Sequence, residues 1–250
     1  YSYWYFGMMM LTSTKKSFSA LEVQRHLGHL YYEPIWYMLH KIRHAMGKRD
    51  DNYTLGNEIE LDEGFFEIVP NKEDRDRIAK EIEVNDGKYK RGKGSQKQAT
   101  VLVMAESKIV EPTDKYKHKA NKAVKYIKMK LLDDLCKETT NKQIDQAIDP
   151  TSSAITDGAN NYNDLKDKLT DHKAVVIEDK KDTSKILPWV HIAISNAKRL
   201  LLDVHHSIGD DHLQSYLDEF CYKFNRRYFN SVFDRLVIAS VACKWTPICT

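Results

Sequence analysis

The spacing of the apolar residues changes near residue 56 of this chain. In residues 35–46, apolar side chains recur every three or four positions, as on one buried face of a helix. Residues 58–62 instead alternate polar and apolar, and residues 100–105 and 125–132 read as further strands. Short helical and strand-like segments then follow each other. We therefore expect an α/β fold, an α+β mixed sheet covered by helices, preceded by a small helical domain.

These segments divide the chain into three regions. Residues 1–54 are expected to be helical, and residues 55–206 to form the sheet domain, with a charged insert at 71–98. Residues 207–250 are expected to add helices that pack on the sheet domain. The chain contains no G-x-G-x-x-G or P-loop string, which excludes the nucleotide-binding folds that depend on those loops.

Composition excludes several other classes. The net charge of the 250 residues is only +3, so no global field favours nucleic acid. The four cysteines form no C-x-x-C pair and have no histidine at zinc-ligand spacing, which argues against structural zinc and a disulfide framework. The apolar start, residues 1–11, is too short to span a bilayer. A reducing cytoplasm, without a membrane partner, is the expected location.

Two helices joined by a turn are predicted within residues 19–47. Ser19 with Glu22 has the form of a capping box, Gly28 is a suitable C-terminal stop, and Pro34 can open the second helix. The polar face of the second helix carries the basic residues Lys41, His44 and Lys48. A basic second helix is typical of a helix-turn-helix that binds DNA, but a generic helical hairpin fits the pattern equally well.

Three oxygen-bearing side chains stand where they could hold a divalent cation. Asp62 and Asp157 each lie in or just after a predicted strand, and Asn196 lies on the predicted helix that follows Pro188. Carboxylates and an amide oxygen can hold hard cations beside a phosphodiester. Alternatively, Asp157 forms a turn with Gly158, and Asn196 is a polar residue at a helix edge. Glu63 should point away from the face that carries Asp62.

Basic residues cluster at several places outside the helix pair. We expect them to contact DNA phosphates without reading sequence, although such runs are often solvated surface. The candidates are Lys90, Arg91, Lys93, Lys198, Arg199, Arg226 and Arg227.

The order of these motifs resembles the bacterial insertion-sequence transposases with an RNase H-like catalytic domain, in their ISXO2-like branch. The resemblance covers roughly residues 10–240, and its most specific part is the string Y-L-D-E-F…F-N-R-R at 216–227. It implies a DDE-type enzyme in which Asp62, Asp157 and Asn196 hold two Mg²⁺ or Mn²⁺ ions. Asn196 replaces the usual glutamate, and His191 is a possible auxiliary residue whose usual Asn companion is replaced by Ala193.

The resemblance also implies a reaction and partners. We expect metal-dependent DNA cleavage and strand transfer at insertion-sequence ends, by a homo-oligomer on DNA, near the bacterial nucleoid and without a small-molecule cofactor. Family members commonly carry a zinc ribbon before the helix-turn-helix, and these 250 residues show none. Three alternatives stay open: a DNA-binding regulator, an inactive transposase remnant, and an RNase H-like nuclease that does not join strands.

Overall fold

The computed structural model describes residues 1–84, 88–90, 95–110, 121–134, 136–175, 186–205 and 207–244. The chain forms two compact units. Unit 1 consists of Tyr1–Tyr53, Ala197–His206 and Ser215–Thr250, and unit 2 of Thr54–Asn196 and Ser207–Gln214. None of the helices in the described ranges has the length and hydropathy needed to cross a bilayer.

Unit 1 begins with three helices, α1 (Ser2–Ser13), α2 (Ala20–Leu27) and α3 (Tyr32–Asp51). The predicted signals at the ends of α2 are present: the Ser19 hydroxyl oxygen accepts the amide proton of Glu22, and Gly28 adopts a left-handed φ of +60°. A side chain at position 28 would be strained there, so Gly28 ends the helix without cost.

Helices from the end of the chain complete unit 1. They are the second part of α8 (Asp210–Asn225) and α9 (Val232–Ala242). Their core joins the predicted apolar stripe of α3 to residues of α1, α2, α8 and α9: Met8, Leu11, Val23, Ile35, Leu39, Ile42, Met46, Tyr222 and Leu236. Residues from 215 onward therefore group with the N-terminal helices in unit 1.

Unit 1 also buries a network of charged side chains. The Nε atom of Arg43 donates to Glu219 over 2.8 Å, and the Ser17 hydroxyl donates to the same carboxylate over 3.0 Å. Lys223 lies 3.4 Å from the other oxygen of Glu219. The guanidinium of Arg43 also lies over the ring of Tyr216. These contacts link α3 to α8 across 176 residues of sequence.

Unit 2 contains a five-stranded sheet in the order β3-β2-β1-β4-β5. The strands are β1 (Glu58–Glu67), β2 (Gln98–Ile109), β3 (Lys122–Leu132), β4 (Ser153–Thr156) and β5 (Asp171–Ala174). The first three pair antiparallel, and β4 and β5 are added in parallel. This mixed sheet confirms the predicted fold class and is consistent with an RNase H-like domain.

Helices surround the sheet in the chain order expected for alternating segments. They are α4 (Lys72–Val84) in the charged insert, α5 (Lys137–Ala147), the short α6 (Leu165–Lys168) and α7 (Pro188–Val204). A 3₁₀ turn, Asn160–Tyr162, follows β4. The stripe predicted for α7 is buried at Val190, Ile194, Ala197 and Leu201.

Two backbone groups of the edge strand β3 form hydrogen bonds with a side chain. The amide of Gln214, at the start of α8, accepts the Leu131 amide proton over 2.7 Å and donates to the Met129 carbonyl over 3.1 Å. One side chain therefore makes the two hydrogen bonds that a neighbouring strand would make here.

Candidate active site

The register of β1 and β4 brings two predicted site residues to neighbouring strand positions. The parallel pair aligns Glu58 with Ser153 and Glu60 with Ile155. Asp62 lies two residues beyond Glu60, within β1, and Asp157 lies two residues beyond Ile155, directly after the end of β4. The two aspartates therefore follow paired positions of neighbouring parallel strands at the same distance along the chain.

The nearby Tyr162 provides independent evidence that these carboxylates converge. Its side chain is fully buried. Its pKa is raised well above the ordinary value, first by burial and then by the negative charges of Glu63, Asp62 and Asp157. Burial and these neighbouring carboxylates therefore favour the neutral form of the Tyr162 phenol.

Glu63 points away from α7, as strand alternation requires. Its carboxylate accepts the Tyr162 hydroxyl proton over 2.9 Å and the side-chain amide of Asn161 over 3.2 Å. Its backbone amide donates to Asp62 over 2.8 Å. Glu63 thus links β1 to the turn after β4 through hydrogen bonds, while Asp62 lies on the face of β1 toward α7.

Alternate residues of β1 meet α7. Glu60 accepts the amide protons of Trp189 and Val190, over 2.8 and 3.1 Å. Two residues later, Asp62 Oδ2 lies 3.6 Å from Nε2 of His191.

Gly64 is the next residue on this face of β1. A Cβ atom there would come within 3.3 Å of Ile194 Cγ1. Each residue of the pattern E-x-D-x-G therefore has a role at this contact. Glu60 caps α7, Asp62 places a carboxylate beside it, and Gly64 leaves space for the side chain of Ile194. The sequence interpretation missed Glu60, although its period-two spacing from Asp62 was a usable signal.

The electrostatics of this contact follow from burial. Glu60 is only 4% exposed, and burial raises its pKa to about 7, against the lowering effect of the two helix amides. Burial also lowers the pKa of His191, so its imidazole is neutral at neutral pH. Within the described residues, the buried Nε2 of His191 has no hydrogen-bond partner.

Asn196 lies on the exposed surface of α7. At about 100° per residue, its position is roughly 140° around the helix from His191, which contacts Asp62. The structure therefore brings Asp62, Asp157 and His191 toward one place, and the ligand role of Asn196 stays a prediction.

The residues near Asp62 fit a divalent cation in their chemistry. The Asp62 side chain is 14% exposed and supplies carboxylate oxygen. The unpartnered nitrogen of His191 faces it. No group of three or more His, Cys, Asp or Glu side chains in the described ranges is arranged to hold a metal ion, so a complete site requires a further donor such as Asn196 or water.

The predicted DNA contacts have different surroundings. Lys48, Arg199 and Lys90 are exposed, whereas Lys41, Lys198 and Arg227 are partly buried. Arg91 and Lys93 lie outside the described residues. His44 is half-buried, and burial followed by the Lys48 charge lowers its pKa.

Arg226 is held inside unit 1. It pairs with Asp50 over 2.7 Å, and its guanidinium lies 3.6 Å from the centre of the Tyr222 ring. The neighbouring Asn225 donates to the same Asp50. These contacts argue against a direct phosphate contact by Arg226. They indicate that Asn225 and Arg226 of the F-N-R-R string stabilise the packing of unit 1.

Comparison with known families agrees with this geometry. The family model described as "ISXO2-like transposase domain" matches residues 54–225. That range includes the whole sheet, α7 and all of α8. No protein with a curated description matches the chain. The chain belongs to the ISXO2-like transposases, a family of insertion-sequence transposases in the DDE superfamily.

Proposed function

We propose that this protein cuts DNA at the ends of an insertion sequence and joins the freed ends to a target. Membership of the family supports a transposase function, and this family generally uses divalent metals. The observation that supports the finer proposal is the parallel β1–β4 pair, in which Asp62 and Asp157 each follow the paired residues Glu60 and Ile155 by two positions. The proposed cofactors are two Mg²⁺ or Mn²⁺ ions, held by Asp62, Asp157 and Asn196.

The bound cations would polarise the phosphate and activate water for an in-line displacement. In this proposal Asp62, within β1, and Asp157, directly after β4, contribute two carboxylate ligands. Asn196 contributes a neutral oxygen, so this set attracts a cation less strongly than three carboxylates would. Replacing Asn196 with glutamate is therefore expected to tighten metal binding.

The proposed reaction has two displacement steps at phosphorus. In the first, a water oxygen bonds to the phosphorus at the transposon end, the bond from phosphorus to the 3′ oxygen breaks, and that oxygen takes up a proton. In the second, the new 3′-hydroxyl loses its proton, bonds to a target phosphorus and displaces a target 3′ oxygen. Neither step requires a covalent bond to the protein.

Contacts to DNA are proposed for both units. In unit 1 they are Lys41, His44 and Lys48 of the helix-turn-helix, with Lys198, Arg199 and Arg227; unit 2 offers Lys90. Arg91 and Lys93 keep their predicted roles from sequence. Assembly as a homo-oligomer on paired DNA ends, near the bacterial nucleoid, is part of the same proposal.

The test is strand transfer with a precut transposon end that carries a free 3′-hydroxyl. We expect the unaltered protein to join this end to a target duplex when Mg²⁺ or Mn²⁺ is present. Asp62→Ala and Asp157→Ala should abolish joining, and Glu67→Ala, an exposed acid on the same strand as Asp62, should not.

The alternatives give different results in that assay. A nuclease without strand transfer would cut an uncut end but leave the precut end unjoined. A regulator or an inactive remnant would bind end DNA and produce neither product with any divalent cation. Full joining activity in the Asp62→Ala variant would refute the catalytic assignment.

A further inference from the structure

The Nε2 atom of His191 is a buried polar atom without a hydrogen-bond partner in the described part of the chain. Buried polar groups in folded proteins are nearly always satisfied, so this nitrogen requires an explanation. Its position supplies one, because it faces the Asp62 carboxylate at 3.6 Å. That separation is too long for a hydrogen bond. The unpartnered nitrogen of His191 therefore lies beside a carboxylate that the proposed function assigns to a cation.

A second histidine near the same sheet edge has a different environment. Nε2 of His172, on β5, lies 3.0 Å from the Thr156 hydroxyl, whereas its Nδ1 is a buried atom without a hydrogen-bond partner in the described residues. What marks His191 is its carboxylate neighbour, because its unpartnered nitrogen lies 3.6 Å from Asp62.

We propose that His191 is a nitrogen ligand of the cation held by Asp62, and that Glu60 is the positioning residue that holds His191 in place. This inference rests on the proposed function in one respect: a divalent cation binds at Asp62.

The fold holds the imidazole from two sides. The Glu60 carboxylate accepts the first two free amide protons of α7, at Trp189 and Val190, immediately before His191. Gly64 then allows the helix to approach the strand at Ile194. The turn that carries His191 therefore cannot shift along β1 without losing a buried hydrogen bond or creating a clash.

A mixed oxygen and nitrogen set has a consequence for metal choice. Mg²⁺ is bound mainly through oxygen atoms and retains its waters, whereas an imidazole suits transition metals. A nitrogen donor beside Asp62 should therefore raise the affinity for Mn²⁺ relative to Mg²⁺. Loss of His191 should lower that ratio by about tenfold, the low end of the cost of removing a metal-site partner.

The direct test is electron spin-echo spectroscopy of Mn²⁺ bound to the full chain labelled with ¹⁵N-histidine. We expect a ¹⁵N hyperfine coupling in the unaltered protein and its loss in His191→Gln and His191→Ala, with Mn²⁺ still bound through the aspartates. His172→Gln is the matched control and should retain the coupling. Bound Mn²⁺ without a ¹⁵N coupling, or a coupling that survives both changes at His191, would overturn the proposal.

The role of Glu60 is tested in the same measurement. Glu60→Gln keeps a carbonyl oxygen that can accept the two amide protons, so the coupling should persist. Glu60→Ala lacks that acceptor, and its coupling should be weaker at equal Mn²⁺ occupancy. Equal couplings in the two variants would refute the positioning role, and circular dichroism of each variant shows that it is folded.

This readout uses no DNA, so it separates the two proposals. A ¹⁵N coupling in a protein that never joins strands would refute the proposed function and leave the metal ligand in place. Strand transfer by a protein whose bound Mn²⁺ shows no ¹⁵N coupling would support the proposed function and refute the role of His191 as a metal ligand.

Discussion

Replacing Glu219 with glutamine should strongly destabilise unit 1, because this carboxylate neutralises buried cations. The side chains of Glu219 and Arg43 are 1% and 2% exposed and meet over 2.8 Å. Burial alone would raise the pKa of Glu219, but Arg43 and Lys223 outweigh it and hold the pKa below its ordinary value. The folded protein therefore favours the ionised form, and glutamine cannot supply that charge.

The expected loss follows from the contacts that glutamine cannot replace. Removing one partner of a buried ion pair costs about 3–5 kcal/mol, because the other charge is left uncompensated. Here the remaining charges are the Arg43 guanidinium and the mostly buried Lys223 ammonium. The Ser17 hydroxyl can still donate to the amide oxygen, so the upper end of the range is not expected. We expect a loss of about 3–4 kcal/mol in the free energy of unfolding.

Urea unfolding followed by circular dichroism measures this loss. Glu22→Gln, an exposed glutamate in the same unit, is the control and should change the free energy by less than about 0.5 kcal/mol. The double variant Arg43→Met/Glu219→Leu removes both charges and should be more stable than Glu219→Gln alone. A loss under about 1 kcal/mol for Glu219→Gln, or simple additivity of the two sites, would refute this account of the pair.

Three further predictions concern unit 2 and DNA binding. Burial raises the pKa of Glu60 to about 7, so between about pH 4.5 and about pH 7 the folded protein binds more protons than the unfolded chain. The free energy of unfolding should therefore fall by about 3 kcal/mol as the pH rises through that range. Urea unfolding should show that Glu60→Gln removes this fall. Gly64→Ala brings a methyl group within 2.9 Å of Phe66 Cε2 and 3.3 Å of Ile194 Cγ1 and should cost about 1–3 kcal/mol by the same assay. Gly56→Ala, with no atom within 4 Å of its added carbon, should be tolerated. Lys48→Ala should reduce the slope of log affinity against log salt by about one for transposon-end DNA if Lys48 contacts a phosphate, and an unchanged slope would exclude that contact.

The local signals in the sequence predicted much of the fold. The ends of α2 follow from Ser19 and Gly28, whose capping interactions involve residues at most four positions away. The first three strands and the stripe of α7 were predicted because their apolar residues follow the period of a strand or a helix. Such patterns are determined by neighbouring residues, so one sequence is enough to find them.

Contacts between distant residues could not be predicted in the same way. The parallel pairing of β1 with β4 joins residues that are 95 positions apart, such as Glu58 and Ser153, and no local pattern specifies that register. Arg226 appeared to be a surface cation, yet it pairs with Asp50 on a different helix. The family resemblance supplied the aspartates, whereas the geometry of Glu60 and His191 required the structure.

The side chain of Gln214 has a consequence for the behaviour of the folded protein at high concentration. An edge strand with open amides and carbonyls can recruit a strand from another molecule, which is a common route to aggregation. Here an incoming chain would have to break two formed hydrogen bonds, at Leu131 and Met129, before it could pair with this part of β3. Gln214 therefore opposes self-association through the edge of the sheet. A variant without this side chain, such as Gln214→Ala, should become turbid at a lower protein concentration than the unaltered protein.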